Sequence, residues 1–508
     1  VIRWQADGKK IYAGSSKGVL EYSFENSQWR VMTGSPGEVN DFLIVDNVPG
    51  LLFLASKEGL GVSEDGGKTW RVSRAFSAGE CYRLASRKTS EGEMLAVAWN
   101  EGWRGRVVFT RDRGRSWILK DQKMLSDAVS NPTRSWAGAD SRINALTADP
   151  FNPGILFRTD WWGVWRSDDD GLNWHEKIIG APNAVIMDIA MNPAGDIYAA
   201  SMDDGLMKSA DGGKSYSMIY PAKKYDAEIN GHVWRVINLS GGRMLGTASP
   251  WYGDKTQVFI VEPDGSFRTS RNGLPEKRPR TRTMWEEGYP RALAADPHNP
   301  SKIYLGIDGD DGGGLFISDD EGVHWKKSAG QPGSLRIYRA LAVDPITPAR
   351  IYWGAYSDTD RSGGIFISED SGVTWKKTFE GMTKVFCLGA SDDGALFAGG
   401  DEGGPALFVS RDHGARWELL KKFSQEGAVT AILFPKKDSK TIVAGVSRWH
   451  GREGGSIFVS QDGGAQWTDI TDDLPESGGS SAFVYDPKNS YLYVTRSAGA
   501  VYKRELTV

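Results

Sequence analysis

The sequence is poor in the residues that build disulfide and metal sites. It has two cysteines and six histidines in 508 residues, and two cysteines exclude a disulfide scaffold and a CxxC-type metal site. The histidines show neither HxH nor HxxxH spacing, so no metal site is predicted. No run approaches the ~18 apolar residues of a membrane span. The formal net charge of −4 gives no electrostatic case for a nucleic-acid partner.

Common catalytic motifs are absent as well, since the sequence has no P-loop, GxGxxG or GxSxG pattern. Glycine and tryptophan are abundant, with 62 and 20 copies. An apolar content of 40% with 25% charged residues indicates a folded chain. The first residue, Val1, does not look like a translation start, and a removed targeting segment is therefore an expectation.

One motif recurs along the whole chain. The pattern [Ser/Thr]-x-Asp-x-Gly-x-x-[Trp/Tyr] occurs eight times, at intervals of 42 to 57 residues apart from one interval of 109. The copies begin at Ser63, Thr110, Ser167, Ser209, Ser318, Ser368, Ser410 and Ser460. Short β-rich runs recur in phase with it, such as IYLG at 303–306 and IYWG at 351–354. Units of about four short strands repeated every ~40–50 residues are typical of the blades of a β-propeller.

The repeat resembles the Asp box, or BNR repeat, of sialidases, glycoside hydrolase 74 xyloglucanases and sortilin-like receptors. The resemblance implies an all-β propeller of about ten four-stranded blades, and it says little about function because these families differ in chemistry. The sialidase version lacks support, since the Phe/Tyr-Arg-Ile-Pro segment of those enzymes is absent. On the resemblance, the box aspartates are Asp65, Asp112, Asp169, Asp211, Asp320, Asp370, Asp412 and Asp462.

The box residues are predicted to be structural. The aspartate accepts backbone N–H bonds across the turn between the third and fourth strands, the glycine adopts a positive φ, and the Trp covers the turn. The number of rings stays open. The most linker-like stretch is 271–290, which would separate blades in 1–270 from blades in 291–508, and one continuous ring over 1–508 is the alternative.

Function is expected on the side of the blades opposite the boxes, where the second and third strands are joined and one blade leads to the next. Several of these connections are rich in aromatic and charged residues, as a sugar-binding groove would be. The predicted ligand-binding residues are Trp99, Trp103, Arg158, Trp161, Trp162, Trp251, Tyr252, Tyr356 and Trp449. Trp, Tyr and Arg also dominate protein-binding hot spots, so a protein partner stays open.

The segment RTDWWGVWR at 158–166 resembles the one that carries the general base in glycoside hydrolase 74 enzymes. On that resemblance, Asp160 is the candidate base. No motif identifies the general acid, for which Asp140, Glu286, Glu287, Asp358 and Asp360 are candidates by loop position alone. No cofactor is predicted, although Asp308, Asp310 and Asp311 offer the oxygen ligands that Ca²⁺ prefers.

Two functions of different class therefore remain. The first is an extracytoplasmic, glycan-directed propeller, in one version an endo-acting hydrolase of the xyloglucanase type. The second is a non-catalytic propeller that binds a protein or serves as a scaffold subunit of a surface complex. Whether the chain is an enzyme is left undecided by the sequence, and the extracytoplasmic placement comes from the resemblance.

Overall fold

The computed structural model describes most of the chain. The described ranges are 2–4, 10–45, 48–89, 92–125, 141–152, 154–160, 163–177, 185–202, 205–220, 232–249, 256–276, 289–307, 313–330, 338–357, 362–447, 455–472, 474, 480–496 and 501–508. In these ranges the structure consists of β-strands and turns, with one 3-10 turn at Ser240–Gly242 and no α-helix. No helix in them is both long and apolar enough to cross a membrane.

The contacts group the chain into two compact units, Val1–Ala181 and Pro182–Val508. The first unit holds four sheets. Sheet 1 contains β1 (Ile2–Trp4), β2 (Lys10–Ser15), β3 (Gly18–Ser23) and β4 (Gln28–Val31); sheet 2 contains β5 (Val39–Ile44), β6 (Leu52–Ser56), β7 (Gly59–Ser63) and β8 (Arg71–Ser73); sheet 3 contains β9 (Glu80–Thr89), β10 (Gly92–Glu101) and β11 (Arg104–Thr110); sheet 4 contains β12 (Lys123–Leu125), β13 (Ala145–Ala148), β14 (Leu156–Thr159), β15 (Val164–Ser167) and β16 (Asn173–Glu176).

The second unit holds seven sheets. Sheet 5 contains β17 (Ile186–Met191), β18 (Ile197–Ser201), β19 (Gly205–Ser209) and β20 (Ser217–Tyr220); sheet 6 contains β21 (Val233–Asn238), β22 (Met244–Ala248), β23 (Gln257–Val261) and β24 (Phe267–Ser270); sheet 7 contains β25 (Ala292–Ala295), β26 (Ile303–Ile307), β27 (Gly314–Ser318) and β28 (Lys326–Lys327). Sheet 8 contains β29 (Leu341–Val343), β30 (Ile351–Ala355), β31 (Gly364–Ser368) and β32 (Lys376–Phe379); sheet 9 contains β33 (Lys384–Ala390), β34 (Leu396–Asp401), β35 (Pro405–Ser410) and β36 (Glu418–Lys422). Sheet 10 contains β37 (Ala428–Leu433), β38 (Ile442–Ser447), β39 (Gly455–Ser460) and β40 (Thr468–Asp469); sheet 11 contains β41 (Ser480–Asp486), β42 (Tyr491–Arg496) and β43 (Val501–Glu505).

Nearly every sheet is an antiparallel meander in which consecutive strands are neighbours. In sheet 4 an additional strand, β12, pairs parallel with β16. The second strands of the second unit are deeply buried: every residue of β26 and of β30 is buried. The outer strand β4 is exposed along its whole length. Burial on both faces is expected where a sheet lies between two others, so the sheets are stacked side by side as propeller blades.

The seven sheets of the second unit close on themselves. The first strand of each sheet contacts the first strand of the next, and β41 of sheet 11 contacts β17 of sheet 5. Ile189 and Ile197 of sheet 5 share a buried cluster with Ala482 and Tyr493 of sheet 11. The Tyr493 hydroxyl also donates to the carbonyl of Gly212, at 3.3 Å. The second unit is therefore a closed seven-bladed propeller with the first strands innermost, and the four sheets of the first unit follow the same blade pattern.

The stretch 271–290, expected as a linker, lies inside the second unit. Its Leu274 belongs to one buried cluster with Leu245 of sheet 6 and Leu293 of sheet 7, so the core continues from sheet 6 to sheet 7 beside it. Residues 277–288 of the stretch lie outside the described ranges.

Candidate functional site

Seven of the eight repeat motifs join the last two consecutive strands of a sheet, and the eighth follows β11, the last described strand of sheet 3. The turn of sheet 8, between its third and fourth strands, is representative. The Ser368 hydroxyl donates to Asp370 Oδ1 at 2.7 Å and accepts the Gly372 N–H at 2.7 Å. Asp370 Oδ1 also accepts the N–H of Val373 and of Thr374, at 3.0 and 2.8 Å. Oδ2 accepts the Thr374 hydroxyl at 2.6 Å. All of these hydrogen bonds lie within the turn, so the Asp370 carboxylate has the structural role that the sequence predicts.

The glycine of this turn is required for two reasons. Gly372 has φ +89°, and the preceding Ser371 is also left-handed with φ +57°, a conformation that costs free energy for most residues other than glycine. A Cβ on Gly372 would also lie 2.4 Å from Leu315 of sheet 7. The turn therefore packs its backbone directly against the neighbouring blade.

The same hydrogen bonds set the acidity of these carboxyls. The Thr374 hydroxyl and N–H lower the pKa of Asp370 to about 2. The Ser116 hydroxyl and N–H lower the pKa of Asp112 to about 2 in the same way. Hydrogen bonds to a carboxylate favour its charged form. Such groups are poor proton donors or acceptors near neutral pH, so the box side of each unit has a structural role. We call the opposite side, where second and third strands are joined, the far side.

Asp160 lies at the far end of β14 and its carboxylate is engaged within the chain. Oδ1 accepts the Gly163 N–H at 3.0 Å, and Oδ2 lies 3.3 Å from a guanidinium nitrogen of Arg158. Both side chains are fully buried, and the Arg158 guanidinium lies 5.3 Å from the ring centroid of Trp174. Asp401 closes the corresponding turn of sheet 9 by accepting the Gly404 N–H at 2.8 Å. The Asp160 carboxylate therefore closes a hairpin, and a role as general base stays a prediction.

The segment 98–106, which contains the predicted ligand-binding residues Trp99 and Trp103, is a tight hairpin in which β10 ends at Glu101 and β11 begins at Arg104. Trp99 is a strand residue that is 2% exposed, and its Nε1 donates to the Ala78 carbonyl at 2.8 Å. Trp103 lies at the hairpin tip and is 70% exposed. The prediction that Trp99 binds a ligand is therefore wrong, because Trp99 is a core residue; Trp103 is exposed, and its ligand role stays a prediction.

Several predicted site residues lie outside the described ranges. They are Trp161, Trp162, Trp251, Tyr252 and Trp449 among the ligand-binding residues, Asp308, Asp310 and Asp311 for Ca²⁺, and Asp140, Glu286, Glu287, Asp358 and Asp360 as candidate acids. Within the described ranges, no group of three or more His, Cys, Asp or Glu side chains could hold a metal ion.

Tyr356 is the predicted ligand residue that lines a pocket. It follows β30 on the far side of sheet 8, is partly exposed, and its backbone pairs with that of Lys384 at the start of β33. Its ring meets Phe386 at 5.2 Å and Tyr338 at 5.3 Å, both edge to face. The pocket has a volume of about 520 Å³ and is open to solvent. Its walls include Tyr356, Lys384, Phe386, Asp401, Gly403 and Gln425.

The polar groups of this pocket come from three different segments. Lys384 Nζ lies 3.5 Å from Asp401 Oδ2, and the two side chains are 36% and 30% exposed. The Gln425 Oε1 atom is buried and has no hydrogen-bond partner among the described residues. A cation, a carboxylate and an amide thus surround an aromatic wall, which is the composition of a site for a polar, hydroxyl-rich ligand.

Backbone bulges help to build this wall. The pairing of β33 with β34 shifts between Val385 and Cys387, which leaves Phe386 as an additional residue at the far end of the strand. A shift between Val233 and Arg235 does the same for Trp234 in sheet 6. Bulges re-aim side chains and are frequent beside functional sites. Here they place aromatic residues at the far-side ends of the innermost strands.

Sequence reasoning missed Lys384, Asp401 and Gln425. Lys384 and Asp401 are paired residues of β33 and β34 within sheet 9, and Gln425 lies on the connection from sheet 9 to sheet 10, so they meet only once the blade has formed. One signal was available: Asp401 is followed by Glu402 and then by Gly403-Gly404, and Asp-x-Gly-Gly after an apolar strand favours a tight turn.

Comparisons with known proteins match the fold. No family model and no curated protein matches the sequence. Among solved structures, an ancestral GH74 enzyme aligns with 98% of this chain and 96% of its own, at 14% identity and a TM-score of 0.51. A GH74 enzyme of Niastella koreensis covers 92% and 81%, at 15% identity and 0.41. YCF48 of Cyanidioschyzon merolae covers 64% and 96%, at 15% identity and 0.46. At these identities the likeness concerns the propeller fold alone.

Proposed function

We propose that this protein is a glycan-directed propeller that acts outside the cytoplasm and binds a sugar chain in the pocket beside Tyr356. The observation that carries the proposal is the composition of that pocket. A partly exposed tyrosine, which meets Phe386 edge to face, stands beside a Lys384–Asp401 pair on the side of the blades that the box turns leave free.

The chemistry of sugars suits these groups. The ring faces of a pyranose are apolar and stack on aromatic side chains, while the hydroxyls both donate and accept hydrogen bonds. Asp401 accepts from hydroxyls, Lys384 donates to them, and the buried Gln425 Oε1 is an acceptor that gains a partner when a ligand hydroxyl reaches it. A buried acceptor without a partner costs free energy, so its satisfaction would favour binding.

The finer version of the proposal is an endo-acting hydrolase of the xyloglucanase type with Asp160 as base. It is supported by the RTDWWGVWR pattern and needs a second carboxyl about 6.5–9.5 Å away for inversion. The engagement of Asp160 by Arg158 and Gly163 favours the simpler version, in which the chain binds the glycan without cleaving it. If the protein binds no glycan, the alternative function, a scaffold that binds a protein partner, would be favoured.

A matched pair of lysine variants tests binding. Titration of a panel of neutral polysaccharides should identify a ligand that Lys384→Ala binds about tenfold more weakly, the loss expected when a charge-assisted contact is removed. Lys376→Ala removes the same charge from the exposed outer strand β32 and should bind as the unaltered protein does. Equal affinities of the two variants for the polysaccharide would reject the pocket beside Tyr356 as the binding site.

Hydrolysis is tested separately with a reducing-sugar assay over the same panel. The simpler version predicts no release of reducing ends. Release that Asp160→Ala abolishes would establish the finer version, and release that survives the substitution would reject Asp160 as base.

A further inference from the structure

The far side of the first unit carries a group of arginines around exposed aromatic rings. Four arginines, Arg83, Arg104, Arg106 and Arg142, lie within two short segments of sheet 3 and at the entry to sheet 4. The same segments hold two glutamates, Glu80 and Glu101. We call the four arginines with Tyr82 and Trp103 the arginine patch. It is locally basic in a chain whose net charge is −4.

The hairpin tip and the entry to sheet 4 are in contact. Arg142 Nη1 donates to the Gly102 carbonyl at 3.3 Å, and the backbones of Arg104 and Ser141 are paired. The entry to sheet 4 therefore lies directly beside the hairpin tip that carries Trp103. Arg106 follows two residues after Arg104 in the same hairpin, where it pairs with Trp99.

Tyr82 lies between two of these cations. It is the residue left over by the bulge in β9, and the guanidinium carbons of Arg83 and Arg142 lie 4.2 and 4.7 Å from its ring centroid. Arg142 also forms an ion pair with Glu80 at 2.6 Å, and Arg83 donates to the backbone carbonyl of Asn40 at 2.9 Å. Stacking and hydrogen bonds fix the planes of these guanidinium groups, which lowers the entropy lost when they bind a ligand.

Arg104 and Arg106 are exposed, and neither has an ion pair in the described part of the chain. Arg106 rests on Phe76, with 5.6 Å from its guanidinium carbon to the ring centroid. An arginine held by an aromatic ring keeps its N–H edges free for a carboxylate. The patch thus offers two exposed arginines without an ion pair among the described residues, Arg104 and Arg106, two arginines oriented by Tyr82, Arg83 and Arg142, and the exposed ring of Trp103.

We propose that the arginine patch binds a carboxylated polysaccharide, a chain of uronate-type sugars. Arginines bind carboxylates in bidentate geometry, and the exposed ring of Trp103 accepts a pyranose face. This inference extends the proposed glycan-directed function to a second surface. It does not depend on the pocket beside Tyr356, whose groups lie in the other unit.

The test is titration of the full chain with oligogalacturonate and with its methyl ester, which has the same rings without the charges. The free acid should bind, and the ester should bind at least about tenfold more weakly. The double variant Arg104→Ala/Arg106→Ala should weaken binding of the acid about tenfold, because two charge-assisted contacts are lost. Trp103→Ala should weaken both the acid and the ester.

The matched control is Arg268→Ala/Arg411→Ala, which removes two exposed arginines from the second unit. It should bind the acid within twofold of the unaltered protein. Equal losses in the two double variants would show unspecific attraction and overturn the proposal, and so would a failure to bind the acid. Polyglutamate or an oligothymidylate bound as tightly, and lost in the same Arg104/Arg106 variant, would overturn it in favour of an acidic protein or a nucleic acid.

Discussion

Arg339, which precedes the inner strand of sheet 8, donates to the carboxylate of Asp188 in the inner strand of sheet 5. The two sheets are three blades apart in a ring of seven, so the contact crosses the centre of the propeller. Asp188 Oδ2 also lies 3.2 Å from Nε of Arg235, and it accepts the Val236 N–H at 3.0 Å. One buried carboxylate therefore joins sheets 5, 6 and 8.

Asp188→Asn should destabilise the second unit strongly, since it leaves two largely buried guanidinium groups without their carboxylate. Removal of one partner of a buried ion pair costs about 3–5 kcal/mol, and urea denaturation measures the change. Arg268→Ala, which removes an exposed partner 3.9 Å from Glu262, should cost less than about 1 kcal/mol. Equal effects of the two substitutions would show that the crossing contact is not a stabilising one.

The box turns predict that stability falls in acid. The folded-state pKa values of Asp112 and Asp370 are about 2, against 3.8 for an unperturbed aspartate. A carboxyl with a lowered folded pKa contributes stability that is complete above about pH 4 and is lost as the pH falls from about 4 to 2. Thermal melting between pH 6 and pH 2.5 should show this decline. The decline should be smaller in Asp370→Asn, and a flat profile for the unaltered protein would refute the assignment.

Two tryptophans of one hairpin should respond in opposite ways. Trp99→Ala should lower the free energy of unfolding by about 3–5 kcal/mol, because it opens a cavity in the core between sheets 2 and 3. Trp103→Ala, at the exposed tip, should change it by no more than about 0.5 kcal/mol. Chemical denaturation of both variants decides between a packing role and a ligand role for each residue.

The two cysteines report on the two units separately. Burial raises the pKa of the Cys387 thiol to about 12 and raises that of Cys81, where the charge of Asp41 adds to the effect. Neither thiol should react with an aromatic disulfide reagent at pH 8 in the folded protein, since the thiolate is the reactive form. Along a urea gradient, Cys387→Ser should report unfolding of the first unit and Cys81→Ser that of the second. Prompt labelling without denaturant would contradict the burial of these residues.

The fold was predictable because the motif repeats. Each Ser-x-Asp-x-Gly-x-x-Trp fixes one turn by local hydrogen bonds, so its place in a blade follows from the sequence alone. The closure of sheets 5 to 11 into a ring was not predictable, since Ile189 and Tyr493 meet only after seven blades have been placed. The stretch 271–290 has a linker-like composition, yet its own residue Leu274 belongs to a buried cluster with Leu245 of sheet 6 and Leu293 of sheet 7.

The sequence predicted the positions of two candidate ligand residues on far-side connections. Trp103 is exposed there and Tyr356 is partly exposed, and a ligand role for either stays a prediction. Trp99 was predicted as a ligand residue because it lies in an aromatic-rich connection, whereas β10 and β11 extend to the hairpin tip and Trp99 is buried. Lys384, Asp401 and Gln425 were not predicted, because the residues that line a pocket shared by adjacent blades are distant in sequence and form no local sequence motif.

The most direct test compares two substitutions at opposite ends of sheet 8. Tyr356 follows β30 on the far side, and Asp370 follows β31 on the box side. Calorimetric titration with a neutral polysaccharide, paired with thermal melting, should show that Tyr356→Ala loses binding and keeps most of its stability, while Asp370→Asn keeps its affinity and melts at a lower temperature. Binding that survives Tyr356→Ala, or that disappears in the still-folded Asp370→Asn, would contradict the separation of a structural box side from a ligand-binding far side.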